Sequence, residues 1–390
     1  MFSIKVKNLE YVLFVISAMV IPLYFTDFRL GAGGLIIRLS DILALFSISI
    51  FLLLLLKNKI AIKYPVGFNC ICIFVAYCFF NALVQLGLTK AIIATVQWML
   101  ILFTLVVVYT SAVKNPEKFR TIFIRTLLVI CFVTLIYHLM HGHLTSYKFL
   151  GDARYSFALT GVILLSCAYY FDDKSYLKPL IFLYPVILLS LERKGILAFH
   201  MVAFFYIFIG LKPLLKFVML ALCSLTLLLL ALFYDLSFLN TFTFFEYSDL
   251  EMLYLDEEQA LWISNLHRQS LVTNGWDIFT THFIFGVGPK MLPVYMGGFY
   301  IDQGLALYTH NVFLDTLIEQ GSVGLFLLLL PYLIHVAQGV GLKNKKDKMV
   351  FIALCLYSIF MLLFMSGGAP SMVIFYLPIF KGFIANKGSD

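Results

Sequence analysis

Long apolar runs are the feature that most constrains how this chain folds. Several of them reach the roughly 20 residues that a helix needs to cross a bilayer. Of the 390 residues, 62% are hydrophobic and only 13% are charged, whereas soluble domains carry about 25% charged residues. The sequence therefore predicts an all-α fold, a polytopic bundle of transmembrane helices.

Twelve transmembrane helices are predicted from this pattern. Their residues are 9–26, 39–56, 65–86, 91–110, 121–140, 155–171, 176–191, 195–211, 214–234, 311–340, 349–366 and 371–385. They divide the chain into three parts. Helices 1 to 9 occupy residues 1–234, a large and partly helical outer loop occupies residues 235–309, and helices 10 to 12 occupy residues 310–390.

The distribution of Lys and Arg predicts the orientation of these helices. Nineteen of the 28 basic residues fall on one side of the arrangement and nine on the other. Because cytoplasmic loops carry the excess of positive charge, the side with nineteen is cytoplasmic, and both termini lie there. The basic residues are spread over many short loops, so the net charge of +7 does not indicate a nucleic-acid partner.

Cysteine and histidine positions bear on metal and redox chemistry. All seven cysteines lie inside apolar runs, which leaves no disulfide framework and no thiolate metal site in a loop. The histidines at 138, 141 and 143 resemble a metal site in spacing only. No phosphate loop for ATP is present, which excludes a primary pump. We expect neither a metal nor another cofactor.

Arginine is concentrated on the outer side, where its five-donor fork suits recognition of phosphate or carboxylate. Arg193 lies in the sequence Leu-Glu-Arg-Lys-Gly at 191–195, a connection too short to leave the membrane level. An ionisable residue at that depth is a candidate for function. The alternative is that Glu192 neutralises one cation and the side chains reach the interface as ordinary ion pairs.

The outer loop is acidic, and it carries only two cations, Arg268 and Lys290. A helix is predicted within it, beginning near Asp256. Arg268 lies on that helix, where it either pairs with an acidic neighbour or contacts an anion. The following sequence Gly286-Val287-Gly288-Pro289 predicts a turn, and a backbone anion site is the secondary interpretation.

The tenth predicted helix, 311–340, is about 45 Å long at 1.5 Å per residue, against a hydrocarbon core of about 30 Å. Its polar residues Asn311, Asp315 and Glu319 recur every four positions, which places them on one face at the level of the outer headgroups. His310 precedes the first turn and suits either proton transfer or capping of the helix. Gly321 and Gly324 allow a neighbouring helix to approach closely.

The segment from Phe285 to Leu325 resembles the signature of the O-antigen ligase and O-antigen polymerase superfamily. The similar features are Phe-Gly-Val-Gly-Pro at 285–289, Thr-His-Asn at 309–311, and Leu314, Glu319, Gly321 and Gly324-Leu325 after fixed gaps. The plan of about twelve helices with one large periplasmic loop before a histidine-asparagine helix is similar too.

The resemblance implies roles for particular residues. Arg193, Arg268 and His310 correspond to family residues that grip an undecaprenyl-pyrophosphate-linked glycan and transfer it, and Arg154 to a further family arginine. The family usually reads serine-arginine-glycine around the first of these, so Glu192 and Lys194 are departures. The substrate-binding residues expected on this basis are Arg154, Lys194, Asn311, Asp315 and Glu319.

The activity implied is metal-independent, inverting glycosyl transfer at the periplasmic face of a bacterial inner membrane. We predict a polymerase that joins lipid-linked units, with a chain-length regulator as a further partner. The alternative is a ligase that uses lipid A-core as acceptor. A lipid-glycan flippase is the second alternative, although transporters usually place charges near the midplane and show two related halves.

Overall fold

The structure is a computed structural model, and it describes residues 6–24, 29–30, 37–140, 154–189, 193–218, 257–298, 308–309, 311–342 and 344–364. Most of the predicted helix 214–234, all of the predicted helix 371–385 and the first part of the outer loop lie outside these residues. His310 lies outside them as well. The predicted division into three parts is therefore retained only as a proposal.

Helices dominate the described parts of the chain. They are α1 (Val6–Tyr24), α2 (Leu39–Leu56), α3 (Phe68–Leu86), α4 (Leu88–Lys114), α5 (Pro116–Met140), α6 (Arg154–Phe171), α7 (Leu180–Leu189), α8 (Arg193–Gly210), α9 (Glu257–Thr281), α10 (Leu292–Met296), α11 (Val312–Val340) and α12 (Lys345–Phe364). The predicted transmembrane helices that fall on described residues coincide with helices, but α3 begins at Phe68 and not at residue 65, and α7 begins at Leu180 and not at residue 176. Several extend past the apolar run because flanking polar residues continue the same hydrogen-bond ladder.

Five stretches of helix are long and apolar enough to cross a membrane. They are Leu39–Leu56, Phe68–Leu86, Leu88–Lys114, Pro116–Tyr137 and Val312–Gly339. Shorter apolar helices cover Asn8–Leu23, Phe157–Phe171 and Gly195–Gly210. The composition and length of these helices make the chain a multi-pass membrane protein.

One short β-ladder departs from the all-α prediction. Strand β1 (Arg29–Leu30) pairs antiparallel with β2 (Ile37–Arg38), in the register that places Arg29 opposite Arg38. The ladder lies in the connection between α1 and α2. Apart from this ladder, the regular elements of the described residues are helices.

The directions of the helices follow from a few close contacts. A Cβ added at Gly161 of α6 would lie 2.6 Å from the ring of Phe199 on α8. Further along both helices, the Tyr206 hydroxyl donates to Ser166 Oγ at 2.9 Å. Equivalent positions along α6 and α8 therefore meet, so the two helices run parallel and begin at the same end of the bundle.

Helix α11 begins at that end too. The Lys346 ammonium of α12 pairs with Asp172, just past the end of α6, so α12 begins where α6 ends. Tyr332 of α11 donates to the Cys355 carbonyl at 2.8 Å, and a Cβ at Gly339 would meet Phe351. Helices α11 and α12 are therefore antiparallel. We call the end where α6, α8 and α11 begin the site end.

The opposite end carries basic side chains. Lys114, the last residue of α4, pairs with Glu10 of α1 at 2.9 Å. The guanidinium of Arg120, near the start of α5, lies 3.9 Å from the ring centroid of Phe171. These residues belong to the segments that the charge pattern assigns to the cytoplasm.

Candidate functional site

Helix α11 is broken at Gly321, whose backbone is non-helical with φ 69° and ψ −172°. The sequence predicted one continuous helix over 311–340, and that prediction is wrong. The break leaves an outer part, residues 312–320, and an inner part, residues 322–340. The inner part is about 28 Å long, which matches one crossing of the hydrocarbon core.

Residues 283–288, which we call the inserted segment, fill the break. In a continuous helix the amides of Ser322 and Val323 would bond to the carbonyls of Ile318 and Glu319. Each of these four groups instead bonds to the inserted segment. The bonds are Ser322 N to Phe283 O at 2.9 Å, Val323 N to Ile284 O at 3.4 Å, Val287 N to Ile318 O at 2.8 Å and Gly288 N to Glu319 O at 2.9 Å.

Two glycines make this close approach possible. A Cβ at Gly321 would lie 2.0 Å from Ile284 O, and one at Gly286 would lie 2.5 Å from Ile318 O. Both residues also have positive φ, which glycine adopts without steric cost. The predicted turn at 286–289 is present. The secondary interpretation as an anion site is wrong, because helix carbonyls occupy the amides of Val287 and Gly288.

A polar stripe on α3, formed by Tyr77, Asn81 and Gln85, holds the inserted segment against the break. Asn81 Nδ2 donates to Phe285 O at 2.9 Å and to Gln320 Oε1 at 3.1 Å. Gln85 Nε2 donates to Asn81 Oδ1 at 2.6 Å, and the Tyr77 hydroxyl donates to Gln320 O at 2.6 Å. This stripe was not predicted from the sequence, although its spacing of four residues within an apolar helix was a usable signal.

The start of α11 is capped by Asn311. Its Oδ1 accepts from Phe313 N at 3.0 Å and from Leu314 N at 3.1 Å, so this oxygen satisfies two amides that a helix start leaves unpaired. The sequence placed Asn311 among the substrate-binding residues. The structure shows that its side-chain oxygen is already used locally.

Asp315 fixes the turn before the helix. Its Oδ1 accepts from Thr309 N at 2.9 Å and from Thr309 Oγ1 at 2.7 Å. The residue is 8% exposed, and its Oδ2 is buried without a hydrogen-bond partner among the described residues. Thr309 and Asn311 flank His310 in the chain, so the backbone is anchored on both sides of the histidine.

Glu319 lies one turn further along the same face as Asp315, as predicted. Its Oε1 lies 3.4 Å from Leu292 N. Both carboxylates lie close enough to Tyr308 to affect its hydroxyl. Burial raises the pKa of Tyr308 to about 12, and the negative charges of Glu319 and Asp315 add to that rise. The carboxylates therefore share one small polar region near the start of α11.

An apolar cluster covers this polar region. Its buried members come from α9, the inserted segment, α10 and α11 and are Leu271, Ile278, Phe279, Val287, Leu292, Met296, Leu314 and Ile318. A Cβ at Gly275 of α9 would lie 2.8 Å from Ile318 Cδ1 and 3.0 Å from Thr309 Cγ2. Helix α9 thus rests directly on the start of α11.

The predicted loop helix is therefore present as α9, and Arg268 lies on it two turns before Gly275. Helix α6 begins at Arg154, and α8 begins at Arg193 followed by Lys194. The backbone at these positions belongs to the site end. The side chains of all four basic residues lie outside the described part of the structure, so their predicted roles stay predictions.

The described residues contain no group of three or more His, Cys, Asp or Glu side chains that could hold a metal ion. The expectation that the protein uses no metal remains a prediction, since the candidate residue His310 lies outside the described residues.

Comparison with known protein families gives a match. Residues 179–329 match the family model described as O-antigen ligase, and no curated protein is significantly similar to the chain. The matched region runs from the start of α7 to the inner part of α11. It contains Arg193, Arg268, His310 and the inserted segment. The match confirms the resemblance over residues 179–329, which are similar to the O-antigen ligase family.

Proposed function

We propose that the protein is an O-antigen polymerase, which joins undecaprenyl-pyrophosphate-linked glycan units at the periplasmic face of the inner membrane. One observation supports this most strongly. The anchored residues on either side of His310, Thr309 and Asn311, and the buried carboxylate of Asp315 lie at the end of the bundle where the helices of Arg154 and Arg193 begin. The family match covers most of these elements.

In the proposed reaction a hydroxyl of the acceptor sugar attacks the anomeric carbon of the donor glycan. The bond from that carbon to the pyrophosphate oxygen breaks, the new glycosidic bond forms on the opposite face, and undecaprenyl pyrophosphate leaves. Arg193 and Arg268 hold the pyrophosphate and stabilise the negative charge that develops on it. Arg154 and Lys194 add further positive charge.

His310 accepts the proton of the attacking hydroxyl in this scheme; contact with the phosphate is the other role open to it. Asp315 acts as a positioning residue, because its Oδ1 is committed to Thr309. Glu319 and the amide nitrogen of Asn311 contact sugar hydroxyls. The scheme needs no metal, and we expect chelators to leave the activity unchanged.

Ligase activity is the second candidate. The matching family is described as O-antigen ligase, and this match fits the ligase as well as the polymerase. Polymerase and ligase share the donor and the arginine-assisted departure of pyrophosphate. They differ in the acceptor, which is a second lipid-linked unit for the polymerase and lipid A-core for the ligase.

Purified protein supplied with a lipid-pyrophosphate repeat unit alone tests this proposal. Longer oligomers on the lipid carrier are the result expected of a polymerase. If product forms only after lipid A-core is added, the protein is a ligase and the polymerase proposal is wrong. If no product forms in either case, a flippase or other transporter becomes the better explanation. Movement of the labelled lipid across the membrane of sealed vesicles would then be measured.

A further inference from the structure

The inserted segment exposes three consecutive large apolar side chains. Phe283 is 56% exposed, Ile284 is 55% exposed and Phe285 is 57% exposed. An exposed apolar patch of this kind marks a contact with another molecule or with a membrane. The depth of the segment in the bilayer and the hydrogen bonding of its backbone distinguish these two possibilities.

The segment reaches below the end of α3. Gly288 lies at that end, because a Cβ there would be 3.3 Å from Leu86 Cδ1. Phe285 lies deeper, since its carbonyl accepts from Asn81 at 2.9 Å. Asn81 precedes Leu86 by five residues, which is about 7.5 Å along a helix. Both α3 and α11 are apolar and long enough to cross a membrane, so this depth lies within the bilayer.

Much of the segment's backbone is paired, which irregular backbone at membrane depth needs. The carbonyls at 283, 284 and 285 accept from Ser322, Val323 and Asn81, and the amides at 286, 287 and 288 donate to the carbonyls of His282, Ile318 and Glu319. The three residues with exposed apolar side chains therefore have their carbonyls turned to protein donors.

The neighbouring surface is apolar too. At the same end of the bundle, Val84 of α3 is 85% exposed and Leu88 at the start of α4 is 58% exposed. Further along α4, Ile93 is 60% exposed. The exposed apolar surface of these two helices therefore lies at the same depth in the bilayer as the exposed side chains of the inserted segment.

We propose that the inserted segment is a re-entrant element whose side chains at 283–285 lie among the acyl chains of the adjacent leaflet. This proposal does not rest on glycosyl transfer. It has a consequence for the site, because Gly288 binds the carbonyl of Glu319 only three residues after the last of these side chains. The lipid-contacting side chains and the polar site thus belong to one short segment. The acyl chain of a bound lipid would contact residues 283–285, and its headgroup would lie near Gly288.

Quenching by brominated lipid tests the proposal. Full-length protein carrying Ile284→Trp is reconstituted in phosphatidylcholine vesicles with and without bromine on the acyl chains, and the emission of the wild-type tryptophans is subtracted. We expect brominated vesicles to remove most of the added emission. Thr273→Trp, on an exposed position of α9, is the matched control and should keep its emission.

Phe285→Trp is the second variant, in case the first disturbs folding. If both variants keep their emission in brominated vesicles, the proposal is overturned. A blue-shifted emission without quenching would mean that protein covers the segment, from this chain or from a second copy. A red-shifted emission would mean that water does. No step of this experiment depends on glycan transfer.

Discussion

At the residue scale, Asp315 is the side chain that anchors Thr309, the residue before the histidine. Its Oδ1 receives both bonds from Thr309. Asp315→Ala removes the acceptor and leaves the buried Thr309 amide unpaired, which costs about 1–3 kcal/mol. We therefore expect a lower apparent Tm in detergent, whereas Asp315→Asn, which keeps the oxygen, should stay near the wild type.

Thr316→Ala is the control for that experiment, because the Thr316 hydroxyl bonds only to the Val312 carbonyl of its own helix. Equal loss of stability in the alanine and asparagine variants would contradict the assigned role.

The role of Asn311 could not be predicted from the sequence. Its residue type and spacing fit substrate contact and helix capping equally. Asn311 caps α11 because its own backbone is extended, with φ −139° and ψ 110°, and the sequence does not reveal that conformation.

Arg268 belongs to the same scale. Arg268→Ala should lower the rate of glycan transfer by roughly 100-fold, the effect of removing one donor from a developing negative charge, with little change in Tm. Turnover of a labelled lipid-linked glycan is the measurement. Lys90→Ala, which removes an exposed cation at the site end of α4, is the matched control. Equal rates for the two variants would remove Arg268 from the site.

At the scale of elements, the break in α11 depends on Gly321. Alanine there would place a Cβ 2.0 Å from the carbonyl oxygen of Ile284 and would adopt a positive φ. We expect Gly321→Ala to displace the inserted segment and to speed amide hydrogen exchange at Val287 and Gly288 at least about tenfold, which corresponds to 1.4 kcal/mol.

Gly341→Ala supplies the comparison, because that glycine ends α11 with φ −76° and its nearest neighbour would be 3.5 Å away. Unchanged exchange in Gly321→Ala would show that the segment does not need the glycine. The sequence predicted the helix but not its break. A glycine in an apolar helix is compatible with both states, and the bonds that favour the break come from residues about 35 positions earlier in the chain.

At the scale of the whole molecule, the two ends of the bundle differ in chemistry. The site end carries the starts of α6, α8 and α11, and the opposite end carries Lys114, Arg120 and Lys346. We predict that a phosphatase reporter, which is active only outside the cytoplasm, is active when fused after Gly87 and inactive when fused after Leu342. A fluorescent reporter that matures only in the cytoplasm should give the reverse pattern. The same reporter active at both positions would contradict the orientation.

The positions of the helices along the chain were largely predictable, because each membrane helix corresponds to one continuous run of apolar residues. The helices at 39–56 and 154–171 show this well, since their ends agree with the prediction to within one residue. The Tyr77–Asn81–Gln85 network and the seating of α9 on Thr309 were not predictable in this way. They depend on which helices become neighbours, and hydropathy carries no information about that.

The inserted segment also has a consequence for how the chain is assembled. Residues 283–288 are synthesised before α11, and they supply partners for four backbone groups of that helix. Without the segment, the broken form of α11 would leave these amides and carbonyls unpaired in the bilayer, at a cost of several kcal/mol for each group. If the loop lies outside, as we propose, α11 can take its broken form only after residues 283–288 have been translocated and have packed against it.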